Sequence, residues 1–142
     1  MSYKILFMGT PKFSVPILNK LNLNHKIIGV ITQPPKKKSR GQKLLKSPVH
    51  LEAEKLNIPI RHPNNLNNNK DLNFIKNTEV DFVIVVAYGQ IIPESFLNLK
   101  NLTFLNVHAS LLPRWRGAAP IQRSIMEMDT ETGISIMKII PK

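Results

Sequence analysis

A chain of 142 residues with a hydrophobic share of 42% holds enough material for one ordinary domain and its core, which excludes global disorder. No apolar run approaches the about 20 residues of a membrane span, the N-terminus has no signal-peptide pattern, and the lack of cysteine excludes disulfides, thiolate metal sites and thiol nucleophiles. Twenty basic residues against nine acidic give a net charge of +11, which suits a polyanionic partner or, since lysine and asparagine abound throughout, a bias of genome composition; a reducing, cytoplasmic setting suits the composition.

The elements alternate along the chain. Ile5 to Met8 reads as a buried strand that runs into the turn Gly9-Thr10-Pro11, and Phe13, Val15, Ile17, Leu18 and Leu21 then recur at helical spacing. Lys26 to Thr32 is a second strand. Gln33 to Ser47 carries Lys36, Lys37, Lys38, Arg40, Lys43 and Lys46 with no acid, and Pro34, Pro35 and Gly41 predict an exposed loop without helix or strand. Ser47 is placed to cap a helix over Pro48 to Leu56, with Pro48 at its first position. A short extended piece, Pro59 to His62, and a helix over Asn69 to Asn77 follow.

Asp81 to Ala87 is the clearest strand, because Phe82-Val83-Ile84-Val85-Val86 is wholly apolar, as expected for a strand covered on both faces. Phe104 to Val107 is another strand, Pro120 to Met128 a helix and Gly133 to Ile140 a last strand. The alternation predicts an α/β fold with a doubly wound, mostly parallel sheet. Ligands of such sheets bind beyond the carboxyl ends of the strands. Three strand ends therefore matter: Gly9-Thr10-Pro11, Ala87-Tyr88-Gly89-Gln90 and Asn106-Val107-His108. The first lacks the later glycines of a dinucleotide fingerprint, and no phosphate-binding Walker loop occurs.

Asn106 and His108 stand two apart on a strand, so their side chains share a face. A carboxamide can donate to a developing oxyanion, and an imidazole can donate or pass a proton near neutral pH. One such donor is typically worth about 2.7–4 kcal/mol of barrier. A structural hydrogen-bonding role for a lone strand-end histidine fits the same two residues.

The loop that follows, Ser110-Leu111-Leu112-Pro113-Arg114-Trp115-Arg116-Gly117-Ala118-Ala119-Pro120, is far more specific. The string from Asn106 to Gln122 closely resembles the signature of the folate-dependent formyltransferases, and within them the methionyl-tRNA formyltransferase family. The resemblance extends to Gly9-Thr10-Pro11 with Phe13, Thr32-Gln33-Pro34, Arg40-Gly41 with Lys43, Ser47-Pro48-Val49 and Val86-Ala87-Tyr88-Gly89, covering essentially the whole chain. It implies a formyltransferase-type Rossmann-like catalytic domain over residues 1–142, incomplete at its C-terminal end and without the family's C-terminal tRNA-binding domain.

The resemblance also implies the reaction. The α-amine of initiator methionyl-tRNA takes the formyl group of 10-formyltetrahydrofolate, with no metal, in a cytoplasmic, non-membrane protein expected to be a monomer. Asn106 and His108 match the family's catalytic asparagine and histidine. Ser110, Leu111, Leu112 and Pro113 match its tetrahydrofolate-binding loop, and Gln90, Ile91 and Ile92 the strand-end stretch whose backbone receives the pterin ring. Arg40, Gly41 and Lys43, joined by Lys36, Lys37 and Lys38, match the insertion that contacts the tRNA acceptor stem.

The family completes its constellation with an aspartate in an Asp-Thr-Gly segment, whereas this sequence ends at Ile139-Ile140-Pro141-Lys142. Asp71, Asp81 and Asp129 do not match that context. The expectation is therefore negligible formyl transfer by the 142 residues alone. Two other readings stay open: a non-catalytic remnant that binds RNA through Lys36 to Lys46, and an amino-sugar formyltransferase of the same superfamily, which would have no use for a polycationic loop.

Overall fold

A computed structural model describes residues 1–38 and 43–141. Six strands form one sheet: β1 (Lys4–Gly9), β2 (Lys26–Ile31), β5 (Ile60–Arg61), β6 (Phe82–Val86), β7 (Thr103–His108) and β8 (Ser135–Lys138). Their order is β5-β2-β1-β6-β7-β8, with the first five parallel and β8 antiparallel to β7 at the edge. The chain winds outward from β1 in both directions, so the order reverses between β1 and β6. That reversal is where an open α/β sheet leaves a crevice.

Both faces of β1 are covered, as continuous apolarity requires. Leu6 and Met8 join Val83, Val85, Tyr88, Phe104, Ile75 and Phe96, the last two from helices α3 (Asn69–Asn77) and α4 (Glu94–Leu97). Ile5 and Phe7 point the other way, to Leu18 of α1 (Val15–Asn24) and to Val49 and Ala53 of α2 (Pro48–Lys55). The pairing of β1 with β2 shifts between Ile5 and Leu6, so that Leu6 faces Gly29. A 3-10 turn over Lys12–Ser14 leads into α1, and Ser14 Oγ, fully buried, donates to Val86 O at 2.7 Å. The four-residue α4 was not expected, being too short to show a period. Helix α5 (Pro120–Met126) lies outside the core except at Ser124. No helix among the described residues is long and apolar enough to cross a membrane.

One expectation is overturned. The basic segment is not a bare loop: β3 (Lys36–Lys38) and β4 (Lys43–Leu45) form a separate antiparallel ribbon. Pro34 and Pro35 precede the first strand and so remove none of its donors, and Gly41 falls between the strands, outside the described residues together with Arg40. A lone two-stranded ribbon is marginal in water. This one is tied at its base, where Lys46 Nζ donates to Glu54 at 2.5 Å and Thr32 Oγ1 and Ser47 Oγ share a hydrogen bond of 2.7 Å.

Ser47 also caps α2 as expected, its Oγ accepting from His50 N at 3.0 Å while Pro48 opens the helix. Ser47→Ala removes both bonds. We expect a loss of about 1 kcal/mol, the typical worth of such a cap, read as a lower urea midpoint at constant slope. An unchanged midpoint would show that water serves the helix end equally well.

Candidate active site

The pleat of β7 turns Asn106 and His108 toward the same opening. Both line a cleft of about 430 Å³, walled by Pro11 and Phe13 after β1, Ala87 and Gly89 after β6, and residues 117–122 before and within α5. Its lining is mostly apolar, and two polar side chains of the strand meet it. The Asn106 carboxamide has no hydrogen-bond partner among the described residues, and His108 bonds through Nε2 to Trp115 O at 3.0 Å. Two groups with unspent hydrogen-bonding capacity thus share one apolar cleft.

The floor is tied across strand ends. Thr10 Oγ1 donates to Tyr88 O at 2.8 Å, and Gln33 Nε2 donates to the same carbonyl at 3.1 Å. Gly89 lies beside this knot with φ +83°, and a Cβ there would collide with the Gln33 side chain. Only glycine meets both demands. Burial raises the Tyr88 phenol well above its ordinary pKa, helped by Asp71, so it stays a neutral donor to Gln90 Oε1 at 3.1 Å.

The wall over His108 rests on a carboxylate the sequence did not single out. Asp129 sits beyond α5, its own N–H donating to Ser124 O at 2.9 Å. Its Oδ2 accepts from Trp115 Nε1 at 2.6 Å and Arg114 Nε at 2.9 Å, while Oδ1 accepts from Arg114 Nη2 at 2.5 Å. The Arg114 guanidinium also lies 4.4 Å from the Trp115 ring centre. Asp129 bonds to the loop rather than to His108. Fourteen positions separate it from Trp115, so no local pattern announces the contact.

Of the expected folate residues, none lines this cleft. Ser110 is fully buried and its Oγ donates to Arg114 O at 2.7 Å, while Leu112 N donates to Ser135 Oγ at 3.1 Å. Leu111 and Pro113 are exposed. Gln90 spends its amide on Pro63 O and Asn64 O, Ile91 is 90% exposed, and Ile92 packs on the core. Of the expected tRNA residues, Lys36 and Lys37 are exposed on β3, Lys38 and Lys43 lie in the ribbon strands, and Arg40 and Gly41 are outside the described residues. No cluster of three or more metal-ligating His, Asp or Glu occurs among the described residues.

The bidentate Arg114 and the Trp115 indole hold the Asp129 carboxyl far below its ordinary range, at about 2. A depressed carboxylate contributes stability that is complete above its unfolded value and fades as pH falls through the folded one. The contribution of the clasp to stability should therefore be complete above about pH 4 and fade below it, and the clasp itself should open as the folded protein is taken through about pH 2. Trp115 is the sole tryptophan, so its emission reads the clasp directly. In Asp129→Asn the emission at neutral pH should already match the acid form of the parent, and an unchanged spectrum would refute the clasp.

Residues 3–141 match the formyl transferase family. The chain is 60% identical over 141 residues to a methionyl-tRNA formyltransferase of Pelagibacter ubique, covering 98% of this chain and 46% of that protein. It is 52% identical over 139 residues to one of Sulfurihydrogenibium, covering 96% and 45%. The chain thus spans about half the length of these curated relatives. Among solved structures, a phosphoribosylglycinamide formyltransferase from Bacillus halodurans superposes with a TM-score of 0.73 at 16% identity, over 98% of this chain and 73% of that one. A sugar N-formyltransferase from Shewanella gives 0.65 at 18%, over 99% and 52%. At such identities these two speak for the fold alone. The match along nearly the whole sequence makes the chain a member of the formyl transferase family.

Proposed function

We propose that this chain carries the transfer site of a methionyl-tRNA formyltransferase, moving a formyl group from 10-formyltetrahydrofolate to the α-amine of initiator methionyl-tRNA. The observation that carries the reading is the pair Asn106 and His108, free to meet a ligand in one apolar cleft at the sheet's switch point. The relatives' name supplies the acceptor.

The amine nitrogen attacks the formyl carbon, and the carbonyl electron pair moves onto oxygen. The Asn106 amide donates to that oxygen, a contact stronger in the tetrahedral state than in the planar formyl group. His108 accepts the proton the amine sheds, and the expelled folate nitrogen takes one up. The carbon–nitrogen bond to folate breaks as the new one persists, giving formyl-methionyl-tRNA and tetrahydrofolate. Apolar walls strengthen each of these contacts by excluding water.

For the folate, exposed Ile91 and Leu111 offer apolar surface beside strand and loop main chain, which suits a flat heteroaromatic ring. Ser110 and Gln90, with side chains already engaged, would act through their backbone, and Leu112, Pro113 and Ile92 would shape the same wall. For the tRNA, we assign Lys36 and Lys37, exposed on β3, together with Lys38, Arg40, Gly41 and Lys43 of the same sequence segment; the segment is rich in lysine and arginine without an acid, and phosphate neutralisation there would release counterions.

The reading is tested by assaying transfer to methionyl-tRNA with the 142 residues alone and with the same chain joined to the C-terminal half of a relative. No carboxylate bonds His108 among the described residues, so we expect turnover only in the joined protein. Asn106→Ala in that protein should lower turnover by about 10²–10³ with tRNA affinity kept. Transfer to an amino sugar instead, or no transfer at all, would overturn the proposal.

Reversing Lys36 and Lys37 to glutamate should leave single-turnover chemistry at saturating tRNA intact. It should weaken tRNA binding and flatten the log–log salt slope by about 0.7–0.9 per lost phosphate contact. An unchanged slope would remove the ribbon from the tRNA interface.

A further inference from the structure

We propose that Asp129 is a positioning residue for His108: by clasping Arg114 and Trp115 it fixes the Trp115 carbonyl, and that carbonyl fixes which nitrogen of His108 carries the proton. The chain of contacts is continuous. Asp129 is anchored through its own N–H on Ser124 O at 2.9 Å and takes three charge-assisted or indole hydrogen bonds from residues 114 and 115. Ser110 Oγ secures Arg114 O at 2.7 Å, so the peptide between Arg114 and Trp115 is held from both sides. Trp115 itself lies in the left-handed region, φ 57°, a conformation that a bulky residue keeps only when its surroundings impose it.

At the end of this chain stands Trp115 O, 3.0 Å from His108 Nε2. A carbonyl oxygen only accepts, so Nε2 must be the protonated nitrogen. The neutral ring then keeps its lone pair on Nδ1, which has no hydrogen-bond partner among the described residues. A histidine so pinned presents a base, not a donor, to an incoming amine, and becomes a donor only after it has taken the proton. A free imidazole would divide itself between two tautomers and orientations. The role of Asp129 is therefore indirect: it shapes the backbone that selects one of them, as outer partners of histidine do elsewhere.

The inference rests on the transfer reading for its purpose but not for its test. The ring nitrogens of His108 in the ¹⁵N-labelled chain are read by NMR at a pH where the ring is neutral. The resonances, among four histidines, are assigned by their loss in His108→Gln. The parent should show one pyrrole-like nitrogen at Nε2 and one pyridine-like at Nδ1. In Asp129→Asn the two should move toward each other as tautomers exchange, and Asp129→Glu should restore part of the separation. Should Asp129→Asn fail to fold, Trp115→Phe asks the same question by deleting the indole bond while keeping the Arg114 pair. A proton on Nδ1 in the parent, or separations unchanged in the variant that folds, overturns the proposal. A pinned ring in a joined protein that transfers no formyl group would leave the clasp standing and sink the transfer reading instead.

Discussion

Side chains two residues apart on a strand leave by the same face, and for β7 that places Asn106 and His108 together only because its neighbours end level with it. Gly9 pairs with Val86, and Val85 with Asn106, so three strands stop along one line. The register is held by burial on both faces, since Phe7 and Val86 belong to one core while Met8, Val83 and Val85 belong to the other. A slip of one residue would drive buried side chains to the wrong face and turn His108 away from the cleft. The site is therefore a consequence of core packing. The sheet places its two polar groups, and the loop that returns over them orients the His108 ring.

Much of this is legible in the amino-acid sequence. An unbroken apolar run such as Phe82 to Val86 has few solutions other than a covered parallel strand, and the Ser47-Pro48 pair specifies a helix start by local chemistry alone. The last strand was recognisable as a strand, but its antiparallel sense was not, because direction depends on the connection and not on the residues. The positions of Asn106 and His108 followed from strand period. Their accessibility did not, since it depends on the loop that returns over them from residues 110–119. The engagement of Ser110 and Gln90 with backbone carbonyls was equally invisible, because a polar residue in a binding-loop motif reads the same whether its side chain faces ligand or loop.

The ribbon shows how punctuation residues mislead when their position relative to the strand is ignored. Pro34 and Pro35 end β2 and its extension, and the strand begins one residue later at Lys36. Lys36 lies opposite Leu45 and Lys37 opposite Leu44 in the ribbon. What the pairing provides is geometry. A flexible loop disperses its cations, whereas a ribbon rooted by Gln33 and Ser47 near the Thr10 and Tyr88 knot holds them in fixed relation to the strand ends. Tertiary ties at the base override the local preference for disorder.

The cleft is bordered by backbone that would not choose its conformation unaided. Ala87, Trp115 and Ala119 all have positive φ, at 47°, 57° and 56°, and Ala119 directly precedes Pro120, where helical-type backbone is further disfavoured. Each such residue costs on the order of 1 kcal/mol or more. The compensation differs by place. At Ala87 it is the knot on the Tyr88 carbonyl, and at Trp115 it is the Asp129 clasp. Helix α5 starts immediately after Ala119 without a side-chain cap, so it is positioned by the loop and not the reverse. The loop over His108 is consequently the element on which the wall of the cleft depends. A carboxylate that stays ionised far below neutrality is a suitable anchor for it, because no physiological change of pH can release it.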